Sequence, residues 1–366
     1  PLCDAVPTRS GILKNLAPDS FYHEWLEHSE PDEYWDTLSP KTYLRDVDLP
    51  MLHVGGWFDT FLRGTLHLYT AMAARSAYRQ QLIVGPWAHL PWGRNVGAVD
   101  FGAEAVSPCD RLQIRWFDHF LKGKDTGLLD DPAIALFEMG SNQWRTFNAW
   151  NHHQPTAFYL ASIGLAAIDD RDGILIQNSK FKIQNSTDIL VHDPWRPVPA
   201  HGGHASIPSG PQERSTLDCR TDILTYTSSP LTEDLHLSGE VTVSLYCNAD
   251  TPSFDLCAVL SEVHPNGTVY NFTQGYIQVK PGQATRPLPI PLQPTCICLK
   301  QGNALRLSLS AACFPAYPVN AGTGEPAGAT RLIDQQIITV MISSGGSTPS
   351  QIVLPKISFT PSCTYE

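Results

Sequence analysis

Two kinds of hydrophobic pattern divide the chain. Between about residues 46 and 128, short unbroken apolar runs alternate with stretches of helical spacing. Leu49-Pro50-Met51-Leu52-His53-Val54 and Gln81-Leu82-Ile83-Val84 are each closed by glycine, as a buried strand would be. Between them Leu62, Thr65, Leu66, Tyr69, Met72 and Ala73 recur every three to four residues and predict a helix. A second helix is predicted where Leu112, Trp116, Phe117, Phe120 and Leu121 share one face, most economically a core face. Ser107-Pro108-Cys109-Asp110 resembles a capping box at its start, and Gly123 ends it.

On either side the pattern differs. Residues 1–45 read as helix and loop, with an amphipathic stretch at 21–28, a helix opened by Pro31, and a stop at Ser39-Pro40. From about residue 132 short strands dominate: 133–139, 158–160, 237–246, 254–263, 269–272, 305–309 and 336–342. His264-Pro265-Asn266-Gly267 is a strong hairpin signal between two of them. Strands at this spacing, without a long helical pattern, predict a β-sandwich or jelly roll. The expected division is 1–45, 46–128 and 129–366.

Composition supports a large β component, since 30 Pro and 26 Gly call for many turns. The formal net charge of −11 argues against nucleic acid and anionic membrane surfaces as partners. It leaves an uncharged small molecule open, and a homo-oligomer as well. No apolar run approaches the roughly 18 residues that span a bilayer. No signal peptide precedes the first helix, although the chain opens at Pro1 and an upstream segment is expected. Nine cysteines, an odd number without CxxC spacing, read as buried thiols of a reducing compartment, hence a cytoplasmic protein. No metal or cofactor site is expected: His152-His153 and the His201/His204 pair have no partners at metal spacing. Sequons begin at Asn185, Asn266 and Asn271 and matter only in a secreted protein.

The candidate chemistry lies at the ends of the two apolar runs. Gly55-Gly56-Trp57-Phe58-Asp59 releases a carboxylate and Gly85-Pro86-Trp87-Ala88-His89 releases an imidazole. Strand, Asp, helix, strand, His is the order in which an α/β-hydrolase delivers the acid and base of its triad, after the nucleophile. Taken singly, such an Asp is more often a turn residue or helix cap, and such a His a structural hydrogen-bonding residue. Their joint placement after successive strands carries the argument. No Gly-x-Ser-x-Gly occurs in the 366 residues; Gly345-Gly346-Ser347-Thr348-Pro349 lacks the last glycine and a strand-to-helix context.

With those peptides in view, the chain resembles the C-terminal two-thirds of the cocaine-esterase/NonD-type serine hydrolases, relatives of the X-Pro dipeptidyl-peptidases. Besides the two strand ends, the matching strings include Arg63-Gly64-Thr65, residues 115–123, Met139-Gly140 with Trp144-Arg145, Asp193-Pro194, Gly202-Gly203, Phe314-Pro315 and residues 352–355. The resemblance implies the C-terminal part of an α/β-hydrolase core (46–128) preceded by the remnant of a helical cap (1–45). A jelly-roll β-sandwich follows (129–366). It makes Asp59 the triad acid and His89 the base, and puts Phe61 in the acyl pocket, with Trp57, Phe58 and Trp87 as further substrate contacts. Gly202-Gly203-His204 is expected near the mouth of that site. The serine and the oxyanion hole would lie on a missing N-terminal hydrolase segment, so this chain alone is expected to be inactive. The implied substrate is a small ester or amide, of acyl or X-Pro dipeptidyl type. Tyr317-Pro318-Val319-Asn320 departs from the family pattern. The competing reading is a non-catalytic carbohydrate- or peptide-binding β-sandwich on a degenerate hydrolase remnant, with Trp144, Trp150 and Trp195 as a binding platform.

Overall fold

Strands β1 (Met51–Phe58) and β2 (Gln80–Ala88) lie parallel in a four-stranded sheet of the computed structural model, which describes residues 11–150, 153–177, 183–283, 287–326 and 329–358. The sheet order is β1, β2, Ile134–Glu138, Gln143–Phe147, with the first three strands parallel and the last antiparallel. The crossover from β1 to β2 is the helix Leu62–Arg75, which buries Leu62, Leu66, Tyr69 and Met72. Those positions repeat every three to four residues, so a single stripe of the helix covers the sheet. β1 is the outer strand, and no described strand pairs with its other edge.

Apart from a two-stranded ribbon of Asn95–Val96 and Val99–Asp100, the remaining described strands form a large sheet of 13 strands, consistent with a β-sandwich. Its longest ladder is the hairpin of Phe254–Val263 and Val269–Val279, turned through the predicted residues 264–267. One hydrophobic core runs through both sheets, joining Trp57, Phe58 and Phe137 to Leu237 and Ile297. Backbone bonds tie them too: the Met139 N–H donates to the Cys296 carbonyl at 3.0 Å, and the Cys298 N–H to the Met139 carbonyl at 2.8 Å.

Several elements differ from the sequence expectation. The small sheet continues through Phe147, so the change of sheet falls after that residue rather than at 129. An apolar strand such as Ile134–Glu138 has the same pattern whichever sheet it joins. The single strand expected at 237–246 is two, Leu235–Gly239 and Thr242–Ala249, because Gly239 takes a φ of +132° that breaks the ladder. At the N-terminal helix Glu33–Leu38, Asp32 rather than Pro31 sets the start, accepting the Tyr34 and Trp35 N–H groups. The Ser107 hydroxyl accepts from the Cys109 N–H, so the full capping box does not form. The helix Cys109–Lys122 buries Trp116, but Phe117 (52% exposed) and Leu121 (77%) face outward. The helices Tyr22–Glu27, Glu33–Leu38 and Pro40–Tyr43 bury no residue, and Phe21, Leu38 and Tyr43 stand exposed around them. No described helix is long and apolar enough to cross a membrane.

Candidate active site

Parallel pairing brings the residues after β1 and β2 to one sheet edge. Gly56 pairs with Gly85, and after a local irregularity Phe58 pairs with Ala88, so Asp59 and His89 leave the sheet as neighbours. Glycine is required at both ends of this register. A Cβ on Gly56 would sit 2.3 Å from the Trp87 carbonyl oxygen, and one on Gly85 would sit 2.3 Å from the Trp87 ring. The turn is then closed by its own backbone: the Asp59 N–H donates to Gly56 O at 3.0 Å, and the Leu62 N–H to Asp59 O at 3.2 Å.

Within this turn the Asp59 carboxylate has two partners. Oδ1 accepts the Phe61 N–H at 2.9 Å, and Oδ2 lies 3.2 Å from His89 Nδ1. The Asp59 side chain is 11% exposed and that of His89 62%. A carboxylate at Nδ1 puts the ring proton there and leaves Nε2 as a lone-pair base. No described residue hydrogen-bonds Nε2. The Trp92 indole N–H holds the His89 carbonyl at 2.9 Å, and the Phe61 ring meets the imidazole edge-on with centroids 5.0 Å apart.

The four aromatic residues expected at a substrate surface separate. Phe61 is 63% exposed on the open side of the pair. Trp57, Phe58 and Trp87 are in the core, with the Trp57 N–H donated to Phe137 O at 2.7 Å and the Trp87 N–H to Ala105 O at 2.6 Å. Indoles at strand ends can fill a core when a carbonyl satisfies the N–H, and both find one. Of the tryptophans considered as a platform, Trp144 and Trp150 pack against the core and Trp195 is 47% exposed. His204 follows the Gly202-Gly203 turn; burial, with a smaller contribution in the same direction from the Arg63 charge, lowers its imidazole to about 4. Arg63 lies in the first turn of the helix after Asp59, and it also bonds Glu240 at 3.0 Å and Pro291 O at 3.0 Å on the large sheet.

One residue of this site has no sequence signal at all. Gln293, 1% exposed in a loop of the large sheet, donates from Nε2 to Asp59 O at 2.8 Å and to Trp57 O at 3.1 Å. It supports the acid-bearing turn from more than 230 positions away.

Comparison with known proteins fits this geometry. Residues 126–353 match the family described as the X-Pro dipeptidyl-peptidase C-terminal non-catalytic domain, and residues 5–91 match the X-Pro dipeptidyl-peptidase S15 family. The chain belongs to the family of the X-Pro dipeptidyl-peptidase C-terminal non-catalytic domain. It is 28% identical over 352 residues to cocaine esterase of Rhodococcus sp. (strain MB1 Bresler), covering 91% of this chain and 60% of that protein. It therefore spans less than two-thirds of this relative. Among solved structures, an aminopeptidase from a marine sediment Thaumarchaeota archaeon superposes with a TM-score of 0.82 at 20% identity, covering 95% of this chain and 62% of that one. An α-amino acid ester hydrolase gives 0.80 at 21%, covering 94% and 62%. At these identities the two structures establish the fold alone. The cocaine-esterase resemblance seen in the sequence is thus shown.

Proposed function

We propose that this chain is the acid–base portion of a serine hydrolase that cleaves a small ester or amide through an acyl-enzyme. The four-stranded sheet is the later part of an α/β-hydrolase core, and the large sheet is its jelly roll. The nucleophilic serine and the oxyanion hole lie on a segment outside these 366 residues. The observation that carries the reading is the 3.2 Å contact between Asp59 and His89 Nδ1, at one sheet edge, with the imidazole 62% exposed. The lack of Gly-x-Ser-x-Gly, the edge of β1 that no described strand pairs and the exposed apolar residues of the N-terminal helices support a partner segment.

The chemistry follows from the pair. His89 Nε2 takes the serine proton as the oxygen attacks the carbonyl carbon. Asp59 holds the ring and stabilises the imidazolium. His89 then gives the proton to the departing alcohol or amine, leaving the acyl-enzyme, and repeats the cycle with water. Phe61, exposed beside the imidazole, lines the acyl pocket. A degenerate remnant would have no reason to keep Asp59 buried and aimed at His89, and the packed state of Trp144 and Trp150 disfavours a flat binding platform.

The test is reconstitution. The chain alone should not hydrolyse an activated ester above background. Adding the serine-bearing segment in trans should restore turnover, and His89→Ala should lower it on the order of 10^4–10^6-fold. Fluorophosphonate labelling of a serine on this chain would overturn the assignment.

A further inference from the structure

We propose that Asp234, His236 and Cys298 form a site for a divalent transition-metal ion of the zinc type, at the joint between the two sheets. His236 and Cys298 are direct cross-strand partners in the antiparallel pair Leu235–Gly239 and Thr295–Leu299, so their side chains leave the same face. Asp234, two residues before His236, shares that side. The Cys298 thiol donates to Asp234 Oδ2 at 3.6 Å and lies 3.9 Å from His236 Nε2. All three ligand atoms fall within 4.8 Å of one another. Metal–sulfur, metal–nitrogen and metal–oxygen bonds of ordinary zinc length at tetrahedral angles separate ligand atoms by roughly 3.3–3.6 Å. The triangle therefore needs only small adjustments to close on an ion.

The neighbours orient each ligand. Glu138 Oε1 lies 2.6 Å from His236 Nδ1, which places the ring proton there and turns the Nε2 lone pair toward the sulfur. This is the carboxylate–histidine arrangement that accompanies metal-bound imidazole. Glu138 is fully buried, and its other oxygen is held by Arg145 at 2.7 and 2.9 Å and by Ser141. The Gln301 N–H fixes Asp234 Oδ1 at 2.8 Å and leaves Oδ2 for the ion. One cation already faces the cluster: Lys300 Nζ lies 3.0 Å from Asp234 Oδ2, on a side chain that is 47% exposed. A metal ion would displace that ammonium into solvent, release the thiol proton to water, and keep a fourth position open on the exposed side. A thiolate, an imidazole and one carboxylate are a donor set that suits zinc over magnesium or calcium. Because Glu138 belongs to the small sheet and the three ligands to the large one, the ion would brace the joint where Met139 bonds Cys296 and Cys298. No metal spacing is legible along the chain, because Cys298 lies 62 positions from His236 and 64 from Asp234.

Cobalt(II) is the probe, titrated into the intact metal-free protein. A thiolate-to-cobalt charge-transfer band should saturate at one equivalent and disappear on adding zinc. Cys298→Ser should abolish the band. Lys300→Met, an exposed change that removes the competing ammonium, should tighten cobalt binding about tenfold. No band at stoichiometric cobalt overturns the proposal. So does a band that survives Cys298→Ser, which would place it on another cysteine, or weaker binding in Lys300→Met.

Discussion

Replacing Gln293 tests whether the large sheet holds the acid in place. Its amide makes two hydrogen bonds to main-chain oxygens of the acid-bearing turn, at 2.8 and 3.1 Å, in a site 1% exposed. Gln293→Leu deletes both. At about 0.5–1.5 kcal/mol net for each bond the loss is about 1–3 kcal/mol. Two effects offset part of it: leucine buries more apolar surface, and the glutamine Oε1 that disappears has no partner among the described residues. The Asp59 carbonyl also keeps the Leu62 N–H at 3.2 Å. A net loss of about 1–2 kcal/mol is expected. Gln293→Glu keeps the shape but turns the donor into an acceptor facing two carbonyl oxygens. A buried charge without a partner costs roughly 3–5 kcal/mol, so the introduced carboxyl holds its proton and its folded-state pKa rises above the unfolded value of about 4.3. The stability of that variant is therefore retained below about pH 4.3 and lost as pH rises through the raised folded value. Urea midpoints of the intact protein, followed by tryptophan fluorescence at constant m, measure both variants across pH 4–8. In the reconstituted hydrolase Gln293→Leu should lower kcat with KM little changed, since it loosens a positioning contact and touches no substrate. A Gln293→Leu protein within about 0.5 kcal/mol of the parent, together with a pH-independent Gln293→Glu, would refute the clamp.

Gly56→Ala should destabilise the protein by about 1–3 kcal/mol or more, because the new methyl meets the Trp87 backbone oxygen at 2.3 Å and β2 cannot retreat without losing the register that aligns Asp59 with His89. Gly64→Ala, in the adjoining helix with nothing within 4 Å, should instead stabilise by about 0.4–1 kcal/mol, and a urea midpoint that moves the same way for both would contradict the contact argument. His192 is 1% exposed, and burial pushes its imidazole down to about 4 against smaller opposing contributions from Asp222 and Asp193. Its neutral form is the folded form, so the stability it confers is complete above about pH 6.5 and is lost as pH falls from there toward 4, on the order of 3 kcal/mol in all. His192→Gln should flatten the fall in urea midpoint between pH 7 and 4.5, and an unchanged slope would remove His192 as its source.

The pair at the sheet edge was legible because a strand–helix–strand unit leaves little freedom. Two parallel strands joined by one helix put the residues that follow them side by side, whatever surrounds them. What stayed illegible depends on distant partners. Apolar alternation says which face of Ile134–Glu138 is buried but not that β2 is its neighbour. The stripe on Cys109–Lys122 reads as a core face, yet Phe117 and Leu121 are exposed because no described element covers them. Trp57 and Trp87 sit two residues before the candidate catalytic residues, yet both are core side chains, because their indole N–H groups find the distant carbonyls of Phe137 and Ala105. Gln293 and the Asp234, His236, Cys298 triangle act only across the fold, at separations no local pattern encodes.

The division between a catalytic part and a non-catalytic C-terminal part does not coincide with the sheets. The segment matched to the non-catalytic domain begins at residue 126, so it supplies Ile134–Glu138 and Gln143–Phe147, which pair onto β2 and complete the sheet carrying the Asp59–His89 pair. It also supplies Gln293 beneath the acid and the partners of Arg63 on the helix that follows it. Asp59 thus has its carboxylate fixed by its own turn and by His89, while its backbone is fixed by the other sheet. Geometry held from two sides tolerates little displacement, and a misplacement of about 1 Å is enough to cost on the order of 10^2-fold in rate. Among the described residues the large sheet makes no hydrogen bond to the imidazole, but in the proposed hydrolase it would set kcat through the main chain of Asp59, and removing it would disable the base without altering a single candidate catalytic side chain.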